Sequence, residues 1–328
     1  MKLKNLVDDL VQKHSLKYYF YNKEAFSDLY PAAYLKIDYK GKSYEAWGVS
    51  KGDKDLAFFK ALVELIERIS ISETCGYFFK ENRFFGETVT LTQISQKFAV
   101  GTKLLNSDNS NGAAVHLTKS KAIESGLNEL IERHTILSAL YLNIPPLPYT
   151  GKVICLNVLE KYKIKFYYWG SNNRYVVVAV HLLDNGGLQF SHACSKKLDS
   201  AVLKSFEELT PNIISQFDNP VVVKDFAVRE GSIKSFNLYW KYSGDRRVLD
   251  FFNSKRERVS SQIPVLKDIY YSEINISEVF QKIGYPFCCL KVISPQAQQL
   301  FFDNWNEKYI HPDIYIPGRL PAFPHIIA

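Results

Sequence analysis

The pentapeptide Glu-Leu-Ile-Glu-Arg occurs twice, at Glu64–Arg68 and Glu129–Arg133, in the same register of two helix-like segments. Aligned on alanine, a third segment joins them: Ala57, Ala122 and Ala201 each precede a glutamate by seven residues, at Glu64, Glu129 and Glu208. The second glutamate and the arginine recur as Glu67 with Arg68 and as Glu132 with Arg133, whereas Pro211 stands at the matching place in the third. A recurrence with this spacing restricts the chain to repeated strand, loop and helix units, because seven residues are two helical turns and keep the alanine and the glutamate near one face.

Around these helices the pattern is mixed. "YYFYN" reads as a strand, and "AYLKIDYKGKSYEAWGVS" alternates about a Lys-Gly-Lys turn, as a hairpin does. A helix is expected from about Asp53 to Ser72, opened by an aspartate that can cap it, and a second from about Ser120 to Leu140, closed before "IPPLP". "VICLN", "KFYYWGS", "RYVVVAVHLL" and "LQFSHA" read as strands, with Asp-Asn-Gly-Gly turning between the last two. The third helix starts near Asp199 and is expected to end by Pro211. A strand "FCCLKVIS", a helix near 296–306 and the tail "HPDIYIPGRLPAFPHIIA" follow. No linker or charge block cuts the 328 residues, so the expectation is a single mixed α/β (α+β) domain over 1–328.

Composition narrows the function. With 46% hydrophobic residues the chain can bury a large core. Its net charge of +7 is scattered among acids, without the dense basic run of a nucleic-acid arm, and no apolar run reaches membrane-spanning length. Neither nucleic acid nor membrane is therefore expected as a partner. Cys75, Cys155, Cys194, Cys288 and Cys289 form no CxxC, and "MKLKNLVDDLVQKHSL" reads as an amphipathic helix with acids in its apolar pattern. A cytoplasmic protein with buried thiols is the expectation.

The repeated glutamates allow two readings. Glutamate four residues before arginine is the favoured helical orientation for an ion pair, and such surface pairs contribute only about 0.2–0.5 kcal/mol each. Against that, Phe58, Phe59, Leu62, Val63, Leu65, Ile66 and Ile69 wrap most of the first helix and leave a narrow stripe of Lys60, Glu64, Glu67 and Arg68. Four carboxylates on two such helices need cations: either buried ion pairs, or Mg²⁺ bridging to a phosphate with the arginines on phosphate oxygens. "KGKS" at Lys40–Ser43 lacks the first glycine of a phosphate loop and reads as a hairpin turn. Ser110–Gly112, before the second helix, is a turn or a place where backbone approaches a ligand. His116, His134, His181 and His192 have no metal-ligand spacing and read as core or surface histidines.

"SNGAAVHLTKSKAIESGLNELIERH" resembles the central signature of the YcaO superfamily. "GVSKGDKDLAFFKALVELIERIS" is similar to that family's earlier signature, and "HACSKKLDSAVLKSFEEL" to its third, where the family usually writes ExxQ. The signatures run in family order over residues 45–211, with the C-terminal strand, helix and proline-bearing tail at 285–328. The resemblance implies one YcaO-type domain with three glutamate-bearing helices around an ATP site. It further implies ATP with Mg²⁺ as cofactors, and activation of a peptide backbone amide by phosphorylation. The product is most readily a thiazoline or oxazoline made from Cys, Ser or Thr of a ribosomally made precursor peptide. Thioamide- and amidine-forming enzymes, or a degenerate scaffold subunit, are the alternatives.

Carried onto this sequence, the resemblance makes Glu64, Glu67, Glu129 and Glu132 Mg²⁺ ligands. Lys51, Arg68, Asn111, Arg133 and Glu208 join Glu64 and Glu129 around the nucleotide. Glu132, Arg133 and Pro324 would serve catalysis, Pro324 because the azoline-forming branch ends its chain in prolines that help build the active site. Here the tail runs on from Pro324 to Ala328, Pro211 replaces the usual glutamine, and Lys60 stands where serine is frequent. A fused peptide clamp has no room beside the catalytic domain, so the resemblance implies a separate recognition protein, ubiquitin-activating-enzyme-like or similar, and is compatible with a homodimer.

Overall fold

The structure is a computed structural model. It describes residues 11–12, 16–21, 30–73, 111–152, 154, 156–218, 239–254, 263–266, 269–281, 286–298, 305, 307, 310–321 and 326–327. The chain falls into two compact units, Met1–Leu127 with Asp268–Pro295, and Asn128–Lys267 with Gln296–Ala328. Each mixes helix and sheet. Most of the expected N-terminal helix, Cys75, Cys155, most of the helix expected near 296–306, and Pro324 lie outside the described residues.

In the first unit, β1 (Lys17–Tyr21), β2 (Ala32–Tyr39) and β3 (Lys42–Val49) form an antiparallel sheet in that order. Lys40 and Gly41 both have positive φ, 50° and 75°, so the β2–β3 turn has the twist that suits a two-residue hairpin. The helix α1 (Lys54–Glu73) follows, and the Asp53 carboxylate accepts the Leu56 N–H at 2.9 Å as an N-cap. Leu35, Ile37 and Ala46 of the sheet share one apolar cluster with Ala57, Ala61, Leu62, Leu65, Ile66 and Ile69 of α1. A Cβ on Gly48 would collide with the main-chain oxygen of Ala57 and the nitrogen of Ala61, so β3 lies directly on the helix backbone. A second sheet takes β4 (Ala113–His116), β10 (Cys288–Ile293) and β9 (Tyr270–Ile274), with β10 central and both pairings antiparallel. The four-residue helix α6 (Glu278–Gln281) lies between β9 and β10 in sequence.

The helix α2 (Lys119–Leu142) starts in the first unit and continues into the second. It ends at Asn143, in the left-handed region at φ 58°, with the Ile144 N–H returning to Ala139 O at 2.8 Å. The second unit is built on a meander of β5 (Leu147–Pro148), β6 (Ile164–Ser171), β7 (Arg174–Leu182) and β8 (Leu188–Ser195). Asn172 and Asn173, both at positive φ, make the β6–β7 turn. Short helices α3 (Leu156–Lys161) and α5 (Arg247–Asn253) flank the long α4 (Leu198–Asp218) in sequence.

Two expectations are corrected. The segment read as the strand "VICLN" contributes its last residues to α3. Four apolar residues in a row have no period that separates the two states, and the strand paired with this edge of β6 is β5. The third helix does not stop at Pro211 but runs through it to Asp218. Proline removes one helical hydrogen bond, yet Ala201, Val202, Phe206, Leu209, Ile213 and Ile214 on both sides of it are all at most 3% exposed. Burial of that continuous apolar stripe, about 1.5–3 kcal/mol for each large side chain, outweighs the lost bond.

His134 ties three parts of the second unit together. Its Nε2–H donates to Pro264 O at 2.8 Å, while Nδ1 accepts the Gln298 N–H at 2.9 Å. Burial pushes the imidazole down to about 4, against the Pro264 bond and with help from the nearby His311. A base kept neutral in the fold stabilises it fully above the ordinary value of 6.5, and this contribution fades as pH falls towards 4. The expected loss is about 3 kcal/mol over that interval. Urea unfolding at pH 7 and pH 4.5 should show a steeper decline for the wild type than for His134→Gln.

Candidate active site

The first unit carries one Glu-Arg constellation. Glu64 and Arg68 form a side-chain ion pair on α1, with side-chain exposures of 36% and 52%. The Trp47 N–H of β3 also donates to Glu64 Oε2 at 3.3 Å, and Arg68 Nη1 donates to Glu45 O at 3.0 Å. The polar edge of α1 is thus pinned to β3, the strand on which Gly48 permits the close approach. Burial raises the Glu64 carboxyl despite Arg68 and the Trp47 amide, as expected of an anion short of positive charge. Lys60, at the position where serine is frequent, spans back to Val49 O at 2.8 Å. Glu67 is half-buried. Burial raises the Cys289 thiol, and the negative charge of Glu67 adds to the effect. Lys51 is exposed in the bend after β3, and Asn111 is 2% exposed beside Gly112. Gly112 has φ 77° and its carbonyl accepts the Val292 N–H at 2.7 Å, so this turn is sewn to β10.

The second unit carries the other constellation, and it is the more enclosed. Glu132 and Arg133 on α2 have side chains only 10% and 14% exposed, and Glu129 is 24% exposed. Arg133 lies between them, with Nη2 3.9 Å from Glu129 Oε1 and Nε 3.8 Å from Glu132 Oε1. A third partner comes from β8: His192, 11% exposed, reaches Glu132 Oε1 with Nδ1 at 2.7 Å and faces Arg133 Nη1 with Nε2 at 3.3 Å. Burial acts to raise the Glu132 carboxyl, but the His192 imidazole, Arg133 and Lys204 outweigh it and hold it below the usual range. Glu132 is therefore ionised at neutral pH.

The register seen in the sequence is real in one respect: Ala57, Ala122 and Ala201 are all 0% exposed. Its third member differs, since Glu208 is exposed while the neighbouring Glu207 is 9% exposed. Among the described residues, no group of three or more His, Cys, Asp or Glu side chains could hold a metal ion alone. Paired carboxylates with adjacent guanidinium groups fit a hard cation whose remaining ligands are phosphate oxygens and water, which is how Mg²⁺ usually binds with a nucleotide. The sequence named His192 only as a core or surface histidine, with no link to Glu132. Its one signal is alternation in β8, where Ser191 Oγ bonds Ser205 O on α4 and the next side chain must point to the opposite face.

Residues 91–297 match the family model described as YcaO cyclodehydratase, ATP- and Mg²⁺-binding. The chain belongs to the YcaO family. It is thereby placed among ATP- and Mg²⁺-dependent cyclodehydratases, and the matched stretch includes the second constellation while starting after α1. Solved YcaO structures share the mixed α/β fold. The YcaO protein from Methanopyrus kandleri bound with AMPPCP and Mg²⁺ is similar with a TM-score of 0.60 at 14% identity, over 94% of this chain and 95% of that one. The E. coli microcin synthetase McbBCD complex with pro-MccB17 bound gives 0.61 at 14% identity, over 94% and 96%. A heterocyclase in complex with substrate and cofactor gives 0.58 at 11% identity, over 89% of this chain and 52% of that one. No curated protein sequence matches this YcaO chain.

Proposed function

We propose that this YcaO protein activates a backbone amide of a ribosomally made precursor peptide, with attack by a Cys, Ser or Thr side chain closing a thiazoline or oxazoline ring. The observation that carries the reading is the enclosed, ionised Glu132 beside Arg133 in the second Glu-x-x-Glu-Arg motif. Bound Mg·ATP would supply the phosphoryl group that turns the amide oxygen, a very poor leaving group, into a good one. Glu64, Glu67, Glu129 and Glu132 are the carboxylates offered to Mg²⁺, while Arg68 and Arg133 order them and meet phosphate charge. Lys51 and Asn111 belong near the nucleotide, and Glu208, being exposed, is the weakest member of that set. Pro324 would help complete the active site.

The peptide-bound microcin synthetase complex and the substrate-bound heterocyclase support a peptide substrate and protein partners. A separate recognition protein would present the precursor. No helix among the described residues is long and apolar enough to cross a membrane, and burial raises the Cys194 and Cys289 thiols. A cytoplasmic location is part of the proposal.

The test is thermal unfolding with millimolar ATP, with Mg²⁺ or with EDTA. Ligand at about 100 times its dissociation constant adds about 2.7 kcal/mol to the native state, so a rise of several degrees is expected with Mg²⁺ and much less with EDTA. No Mg²⁺-dependent rise would remove the assignment. A rise without peptide modification, with a matched precursor and partner present, would leave a nucleotide-binding scaffold.

A further inference from the structure

We propose that His192 is a positioning residue that clamps the Glu132 carboxylate through one oxygen and so presents the other oxygen to Mg²⁺. This rests on the Mg·ATP reading of the site. His192 lies on β8 opposite Val178 of β7, on the sheet face away from Ser191 and its α4 contact, and in the same unit as Glu132. Both contacts of the carboxylate fall on Oε1: His192 Nδ1 at 2.7 Å and Arg133 Nε at 3.8 Å. Among the described residues Oε2 accepts no hydrogen bond. A carboxylate held at one oxygen keeps a single rotamer and leaves the second oxygen for a cation.

The tautomer follows from the neighbours. A carboxylate only accepts, so Nδ1 carries the proton and donates it; a guanidinium only donates, so Nε2 offers its lone pair to Arg133 Nη1. One ring on a strand thereby contacts both the glutamate and the arginine of the same motif from outside their helix. A hydrogen bond to a metal-binding carboxylate matters in the way other outer partners of metal sites do, where loss costs about 10–100-fold in metal affinity. In the first motif Glu64, the counterpart of Glu129, is held by Arg68 and by the Trp47 main chain.

The experiment titrates Mg²⁺ against full-length protein at fixed ATP and reads the Mg²⁺ concentration that gives half of the ATP-induced rise in Tm. His192→Ala is expected to raise that concentration about 10–100-fold. His192→Asn keeps an N–H near the Nδ1 position and is expected to stay within a few fold of wild type, whereas His192→Gln, whose amide reaches the Nε2 position, should resemble alanine. If His192→Ala unfolds, the Asn and Gln variants carry the test between them, and equal Mg²⁺ requirements would overturn the proposal. So would an unchanged requirement in His192→Ala with wild-type Mg·ATP stabilisation, which leaves the Mg·ATP reading intact. A wild type without any Mg²⁺-dependent shift overturns both.

Discussion

Glu132→Gln is expected to lower turnover on the order of 10²–10³-fold while leaving the fold near intact. The size follows from the proposed role, in which glutamine would remove one anionic ligand of the Mg²⁺ that neutralises charge developing in phosphoryl transfer. The fold survives because glutamine keeps the shape, and its amide oxygen still accepts from His192 Nδ1 where the carboxylate did at 2.7 Å. What disappears is the negative charge opposite Arg133, so nucleotide affinity should fall less than the rate if the charge acts mainly in the transition state. Single-turnover rates and ATP binding by calorimetry separate the two. Normal turnover in Glu132→Gln would mean that the repeated motif is structural, and the ion-pair reading of the sequence would stand in its place.

The second large effect is on stability. A methyl group added at Gly48 meets the main-chain oxygen of Ala57 and nitrogen of Ala61, helix backbone atoms that cannot rotate aside. The strand and α1 must separate, opening a core in which Leu35, Ala57, Ala61 and Leu62 are all at most 1% exposed. Overpacking costs of this kind are typically about 1–3 kcal/mol, and a clash with backbone belongs at the top of that range or beyond it. Gly48→Ala should therefore shift the urea midpoint strongly. It should also weaken Mg·ATP stabilisation, because the neighbouring Trp47 N–H holds Glu64. Gly170 on β6 is the control: nothing lies within 4 Å of a Cβ there, and Gly170→Ala should change stability by no more than about 0.5 kcal/mol. Equal stability of the two variants would refute the close-approach account.

Much of this protein was legible in its sequence because the relevant physics is local. The alanine-to-glutamate register needs only helical periodicity, and Ala57, Ala122 and Ala201 are accordingly all fully buried. Lys40–Gly41 fixes a hairpin through positive φ at two adjacent residues, and Asp53 caps α1, as their residue types require. The signatures in their order carried the YcaO assignment, with its cofactors and class of chemistry. Tertiary structure decided the rest. Pro211 argues locally for a helix end, but a buried stripe running past it continues the helix to Asp218. "VICLN" was ambiguous because so short an apolar run has no period of its own, and strand pairing made the choice. Glu207, not Glu208, takes the enclosed place on α4, a difference of one residue that only packing sets. The contact of His192 with Glu132 joins residues 60 apart in sequence, and no helix or strand period links a histidine on β8 to a glutamate on α2. The sequence by itself therefore determined the repeated helices, the family and the chemical class. Which side chains hold Glu132 was decided only when the strand was laid against the helix, since long-range pairing leaves no local trace for a sequence to show.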